Sequence, residues 1–218
     1  MSRKRRVVEP GDILHIVNRG NDKRIIFPEP LDFPAFLVLL REGTERFDVQ
    51  LFAYCLMPNH FHLVVRVADL KAISSYMLYV QREHACDLRA RARTRGLGHV
   101  FQRRYWSKVI KGEGHLLTLM RYVEANALRA RLVEQAQAWE WGSLWDRTTG
   151  ERDLLRPSLP LPEGWELIVN TPLQAPDLQA IRRPLKTGRP TTIYDSRKRG
   201  AGPLSTCGTM GAGPFVLP

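Results

Sequence analysis

The chain has 218 residues, 44% hydrophobic and 25% charged, which suits a globular protein with one buried core of about 150 residues and an appendage. Its 33 Lys and Arg outnumber 22 Asp and Glu for a net charge of +11, and because the excess is clustered arginine it points to a polyanionic partner. No segment has the apolar length that crosses a bilayer, no apolar core follows Arg3 to Arg6, and Cys55, Cys86 and Cys207 show no Cys-x-x-Cys spacing. The expectation is a cytoplasmic, nucleoid-associated protein in which Cys55 and Cys86 are packed, reduced thiols, with no disulfide framework and no structural zinc site.

In chain order, a basic and polar stretch (1–11) leads into a β-rich run (12–18) that stops at Arg19, Gly20, Asn21 and Asp22, a strand and then a turn. Phe33, Phe36, Leu37, Leu40 and Phe47 recur at helical spacing over 31–47, with Asp32 and Pro34 at the start. Residues 49–56 and 60–67 read as two strands joined through Met57, Pro58 and Asn59. A second helix is expected over about 70–93, with Ile73, Met77, Val80 and His84 on one face. Its end is densely basic, with Arg82, Arg89, Arg91, Arg93 and Arg95.

Residues 99–110 read as a fourth strand that interleaves Arg103, Arg104, Tyr105, Trp106 and Lys108. Alternating cations and aromatic rings suit single-stranded nucleic acid, and a solvated edge with Trp106 turned inward is the alternative. A third helix fits 115–133, with Leu116, Leu119, Tyr122, Val123 and Leu132 inward, and Trp139, Trp141 and Trp145 are expected to close the domain as an aromatic clasp. Beyond Thr148 come Pro157, Pro160 and Pro162, a short helix near 176–183, and a Gly- and Pro-rich end. The expected division is a main domain over 1–148, a Pro-rich tail over 149–194 and a disordered end over 195–218. Strand, helix, two strands, helix, strand, helix is the order of an α+β fold, a ferredoxin-like antiparallel sheet with helices packed on it.

The chemistry centres on His60 and His62. On a strand they point the same way while Phe61 enters the core, and two such imidazoles can take adjacent positions on one divalent cation. Two ordinary half-exposed histidines are the bland reading of that pair taken alone. Tyr122 and Asn126 are four apart and share a helical face. One face thus offers a phenolic nucleophile, which a nearby cation can enable to displace a DNA 3′-oxygen, and an amide oxygen to complete the metal's coordination. Tyr54, Tyr76, Tyr79 and Tyr105 are rival tyrosines, and His15 and His99 are packed residues or supporting contacts.

Three blocks, Met-Pro-Asn-His-Phe-His-Leu-Val-Val at 57–65, Gly-His-Val-Phe-Gln-Arg-Arg-Tyr at 98–105, and Arg-Tyr-Val-Glu-Ala-Asn at 121–126 running on to 129–133, resemble the signatures of the REP-associated tyrosine transposases. These are domesticated relatives of the single-tyrosine HUH transposases. The similarity spans roughly 5–190. It implies that His60, His62 and Asn126 bind Mg²⁺ or Mn²⁺ and that Tyr122 is the nucleophile. The substrate it implies is single-stranded DNA folded into REP-type palindromic hairpins and cut beside a guide tetranucleotide. Ala127 stands where the family usually has Pro, so the helix around Asn126 is expected to differ.

On this reading Arg82, Arg89, Arg103, Arg104 and Lys108 hold hairpin phosphates, and Asn18, Arg19 and Asn21 touch the guide sequence. The protein is then a monomer or dimer that nicks and transfers strands through a 5′-phosphotyrosine. A hairpin-binding regulator without cleavage and a metallonuclease using water are the two competing readings.

Overall fold

A computed structural model of the chain describes residues 8–93, 98–155 and 160–187, with side chains to 182 in the last helix. The basic N-terminus, Arg95, Pro157, the end over 195–218 and Cys207 lie outside the described residues. Four strands, β1 (Ile13–Arg19), β2 (Val49–Met57), β3 (His60–Val67) and β4 (Trp106–Ile110), form one sheet in the order β2-β3-β1-β4, and every neighbouring pair is antiparallel. This is the expected ferredoxin-like α+β arrangement: the unit from β1 to β2 straddles β3, and the unit from β3 to β4 straddles β1.

The two crossover helices, α1 (Asp32–Phe47) and α2 (Leu70–Arg91), pack together on one face of the sheet. Phe36 of α1 meets Phe61 at 5.1 Å between ring centroids, and Phe27, His84 and Phe101 complete the cluster. Local chemistry sets their ends. Asp69 caps α2 by accepting from the Ala72 N–H at 2.7 Å, and Asp48 closes α1 in the left-handed conformation at φ 50. Gly43 permits the close approach of α1 and α2, since a Cβ there would lie 2.6 Å from the Tyr76 ring.

Three expectations need correcting. The fourth strand is only Trp106–Ile110, because Phe101 pairs in isolation with Gly20 and the Arg103 carbonyl is taken by the Asn18 amide, so the ladder starts only at Trp106. The third helix is broken into α3 (Glu113–Glu124) and α4 (Asn126–Arg129), with Ala125 at φ −81 and ψ 9 between them. The helix therefore interrupts itself beside Asn126 with Ala at position 127. Cys86 is exposed, while Cys55 is buried as expected.

The tryptophan-rich segment closes the outer edge of β2. Leu56 N–H donates to the Trp141 carbonyl at 2.9 Å, Tyr54 N–H to Ser143 Oγ at 3.0 Å, and Trp139 Nε1–H to the Leu56 carbonyl at 2.9 Å. An edge that would otherwise offer unpaired backbone groups is thereby covered. The segment continues as α5 (Ser143–Thr149), and the Pro-rich region adds α6 (Trp165–Asn170) and α7 (Ala175–Thr187). Arg121 NH2 donates to the carbonyls of Thr171 and Pro172 at 2.7 and 3.2 Å, and Val169, Leu173 and Ile181 are buried.

At the centre of this side is Glu124, whose carboxylate is shut off from solvent. Ser143 Oγ and Arg147 Nε donate to Oε1 at 2.7 and 2.8 Å, and Trp165 Nε1 donates to Oε2 at 2.6 Å. Removing the acceptor leaves the Trp165 indole N–H unpaired and takes one partner each from the Ser143 hydroxyl and the largely buried Arg147 guanidinium. Glu124→Ala is expected to lower the unfolding free energy by about 3 kcal/mol, and Glu124→Gln by less, as read from urea denaturation.

Candidate active site

Strand register gathers the histidines. His15 lies opposite Val64, Val17 opposite His62 and Arg19 opposite His60, while Lys108 lies opposite His15 and Cys55 opposite His62. Directly opposed residues share a face, so His15, Arg19, His60, His62, Cys55 and Lys108 all stand on one side of the sheet. The α1 and α2 helices cover the other side.

α3 crosses that histidine face. The Tyr122 ring lies 5.9 Å from the His62 ring and 6.4 Å from the His15 ring, both edge-on. Asn126 begins the next helical turn and is fully buried. Neither Oδ1 nor Nδ2 of Asn126 has a hydrogen-bond partner, a costly state for a buried amide.

The imidazoles are each committed at one nitrogen. His60 Nδ1 lies 2.8 Å from Asn59 Oδ1; a carbonyl oxygen only accepts, so Nδ1 carries the proton and Nε2 keeps its lone pair. His62 Nδ1 lies 2.9 Å from His15 Nε2, and with the proton on His62 Nδ1 its Nε2 is likewise left as a donor to a metal. Burial holds all three rings neutral. His15 is pushed down to about 3, chiefly by desolvation and then by Lys108 and His115. His60 falls to about 3 through desolvation, Arg19 and Arg129, and His62 falls well below its usual value through desolvation and the neighbouring histidines.

Two neutral imidazoles with oriented rings on the sheet, and a partnerless amide on the helix that follows Tyr122, are donors that suit a divalent cation. Among the described residues no group of three His, Cys, Asp or Glu is placed to hold a metal. The amide of Asn126 is therefore the kind of third ligand such a site needs.

Other expected residues distribute unevenly. Arg82, Arg103 and Arg104 are exposed, and Lys108 and Arg89 are half-buried, Arg89 bonding the Gly98 carbonyl. Asn18 and Arg19 do not lie on an open guide-reading surface. Asn18 is spent internally, donating to the Arg103 carbonyl at 3.1 Å and accepting from the Arg19 N–H at 2.8 Å. Arg19 is 4% exposed and stands beside His60; Asn21 is half-buried in the turn that follows.

The rival tyrosines lie elsewhere. Tyr54 bonds Asp146, Tyr79 bonds Glu42, and Tyr76 is enclosed between α1 and α2. Two residues gain importance over their sequence reading. His15 supports His62, and Arg129 lies over the Tyr122 ring at 4.0 Å. Only the alternation of His15 and Val17 along β1 hinted at the first, since its partner is fixed by a register that no local pattern shows.

Comparison with known proteins adds the following. Residues 12–126, more than half of the chain, match the sequence model of the family described as IS200-like transposases. The chain is 24% identical over 114 residues to a Haemophilus influenzae protein described as a REP-associated tyrosine transposase, covering 47% of this chain and 63% of that relative. The fold superposes with a TM-score of 0.57 on a solved REP-associated tyrosine transposase bound to a REP hairpin, at 17% identity, over 80% of this chain and 96% of the other.

Two outcomes are expected. His15→Ala frees the His62 ring to turn, so Mn²⁺ affinity measured by calorimetry should fall by about tenfold or more. Stability should also depend on acid: the unfolded chain binds protons on His15, His60 and His62 near pH 6.5 while the folded chain binds them only near pH 3 for the first two. More protons on the unfolded state means stability rises with pH. Unfolding free energy should therefore be full above about pH 6.5 and decline as pH falls toward about 3, and the His15→Ala and His60→Ala variants should show a shallower decline in urea titrations.

Proposed function

Because the chain belongs to the IS200-like transposase family, we propose that it cuts and rejoins single-stranded DNA folded into REP-type hairpins, with Tyr122 as the nucleophile. The observation that carries the reading is the placement of Tyr122 edge-on to His62 at 5.9 Å, one helical turn ahead of the buried, unpartnered amide of Asn126. The phenolic oxygen forms a bond to the scissile phosphorus as the bond to the 3′-oxygen breaks. The phenol proton passes to solvent, the released 3′-oxygen takes one up, and the 5′-phosphate remains as an ester on Tyr122. Attack by another 3′-hydroxyl reverses these steps and joins a new strand.

His60, His62 and Asn126 would hold Mg²⁺ or Mn²⁺, which when bound supplies Lewis-acid polarisation of the phosphate. The chain's own contribution is to keep both imidazoles neutral and oriented, to fix Tyr122 through α3, and to hold strand phosphates on Arg82, Arg103, Arg104 and Lys108. Arg19 belongs to the wall beside His60 in this reading, and Asn18 sets the path of the Arg103 backbone.

A second reading, hairpin binding without cleavage, is favoured by one feature: Tyr122 is only 2% exposed, so a strand reaches it only after neighbouring side chains move. Incubation of the protein with Mn²⁺ and labelled hairpin DNA, followed by a denaturing gel, separates the two. A protease-sensitive protein–DNA adduct is expected with the wild type and absent with Tyr122→Phe. Tight hairpin binding with neither adduct nor cut strand across metals would favour the binding reading, and cutting that survives Tyr122→Phe would favour water as nucleophile.

A further inference from the structure

Arg129 is the least expected charge in the molecule. Its guanidinium carbon lies 4.0 Å over the Tyr122 ring, yet Nε, NH1 and NH2 are all buried without a hydrogen-bond partner. Among the described residues no carboxylate forms an ion pair with it, although six other Arg or Lys contacts of that kind occur. A buried guanidinium with no anionic partner is among the most costly states a side chain can adopt.

Burial depresses its pKa to about 10, an effect that Tyr122 opposes and Arg182 reinforces, so it remains charged at neutral pH. Arg182 arrives from α7, the far end of the chain, and its Nε is also buried and unpartnered. Arg129 over Tyr122 thus has a second cation from a separate element acting on it, and each has a buried nitrogen with no hydrogen-bond partner. The neighbouring histidines are neutral and can offset neither charge.

We propose that Arg129 and Arg182 form an anion site beside Tyr122 that takes a backbone phosphate of the DNA strand. The geometry suits that class of ligand: a guanidinium presents paired N–H donors to two oxygens of one phosphate. The ring of Tyr122 fixes the plane of the Arg129 fork by stacking. The tail helix α7 is thereby part of the site, supplying its second cation, and Arg129 touches the same phosphate group whose phosphorus Tyr122 attacks. This inference rests on the assignment of Tyr122 as nucleophile for its chemistry, but the binding of an anion does not.

The test uses the full-length protein without metal. Inorganic phosphate is titrated while the thermal midpoint is followed for the wild type, Arg129→Met, Arg129→Lys, Arg182→Met and Tyr122→Phe. Phosphate should raise the wild-type midpoint, with its half-saturating concentration about tenfold higher in Arg182→Met and the response abolished in Arg129→Met, the order expected for losing charge-assisted hydrogen bonds. Arg129→Lys should regain part of the response, and Tyr122→Phe should keep it.

Without phosphate, Arg129→Met should unfold at or above the wild-type midpoint, because Met fills similar volume with no buried charge. An Arg129→Met variant that responds to phosphate as the wild type does, or that is destabilised without phosphate, would assign Arg129 a purely structural role and overturn the proposal. A second arm identifies the source of the phosphate. A labelled single-stranded oligonucleotide should be displaced by inorganic phosphate from the wild type but not from Arg129→Met, and equal displacement from both would overturn the assignment to a DNA strand. A wild type that binds phosphate here yet forms no DNA adduct would sink the Tyr122 reading alone, and an adduct-forming protein whose phosphate response ignores Arg129 would sink this one alone.

Discussion

Glu124 divides its two oxygens among Ser143, Arg147 and Trp165 in a place closed to water, and the geometry of the site follows from it. Glu124 lies between Tyr122 and Asn126 in sequence but faces the opposite way, so each bond it accepts fixes the helix from behind. Ser143 carries the restraint to the sheet, because the same hydroxyl accepts from the Tyr54 N–H of β2. Arg147 does so too, bonding the Phe52 carbonyl. The Tyr122 helix is tied to the sheet by polar groups that lose a partner if it shifts, a firmer restraint than apolar packing, which tolerates sliding.

The same side of the molecule explains how the histidines stay neutral. Every cation near them, Arg19, Arg129 and Lys108, disfavours a proton on an imidazole, and burial disfavours it further. Ion pairs of the fold involve other residues: Asp32 with Arg91 on the helical face, Glu124 with Arg147 behind α3, and Asp146 with Arg152 under the tryptophan clasp. Glu124 stands on the histidine side as well, but its carboxylate is already taken by Ser143, Arg147 and Trp165. An excess of +11 over the whole sequence, with Arg19, Arg129 and Lys108 close to the histidines, is the condition for drawing in a polyanion.

How much of this was legible in the sequence depends on the range of the interaction. Alternation placed His60 and His62 together and Phe61 opposite, and the helical spacing of Phe33, Phe36, Leu37 and Leu40 gave α1, because both are local periodicities. The element order gave the sheet architecture, though not the register. What failed to show was set by distant partners. The strand over 99–110 is cut short because Asn18, eighty-five residues earlier, takes the Arg103 carbonyl. The helix over 115–133 breaks at Ala125, an excellent helix former, where the tertiary bonds of Glu124 override propensity. Arg19 changes from a surface residue to a wall of the site only because β1 pairs with β3, and His15 gains its role by the same pairing. Arg129 falls in a signature block, but nothing local shows that it is buried over Tyr122, since an arginine on a helix reads as solvated until its surroundings are known.

The tryptophan clasp also has a consequence in time. Tyr54 leaves the ribosome 89 residues before Ser143, its partner across the edge of β2, and Glu124 waits a further 41 residues for Trp165. Contacts of such sequence separation close late, because the loop they span must be ordered first. During synthesis the histidine strand is made and paired well before the tyrosine helix has anything to hold it in place. A chain made only as far as residue 164 carries both imidazoles and a Tyr122 helix tied through Ser143 and Arg147 alone, so the last restraint on Glu124 arrives well after the strands have paired.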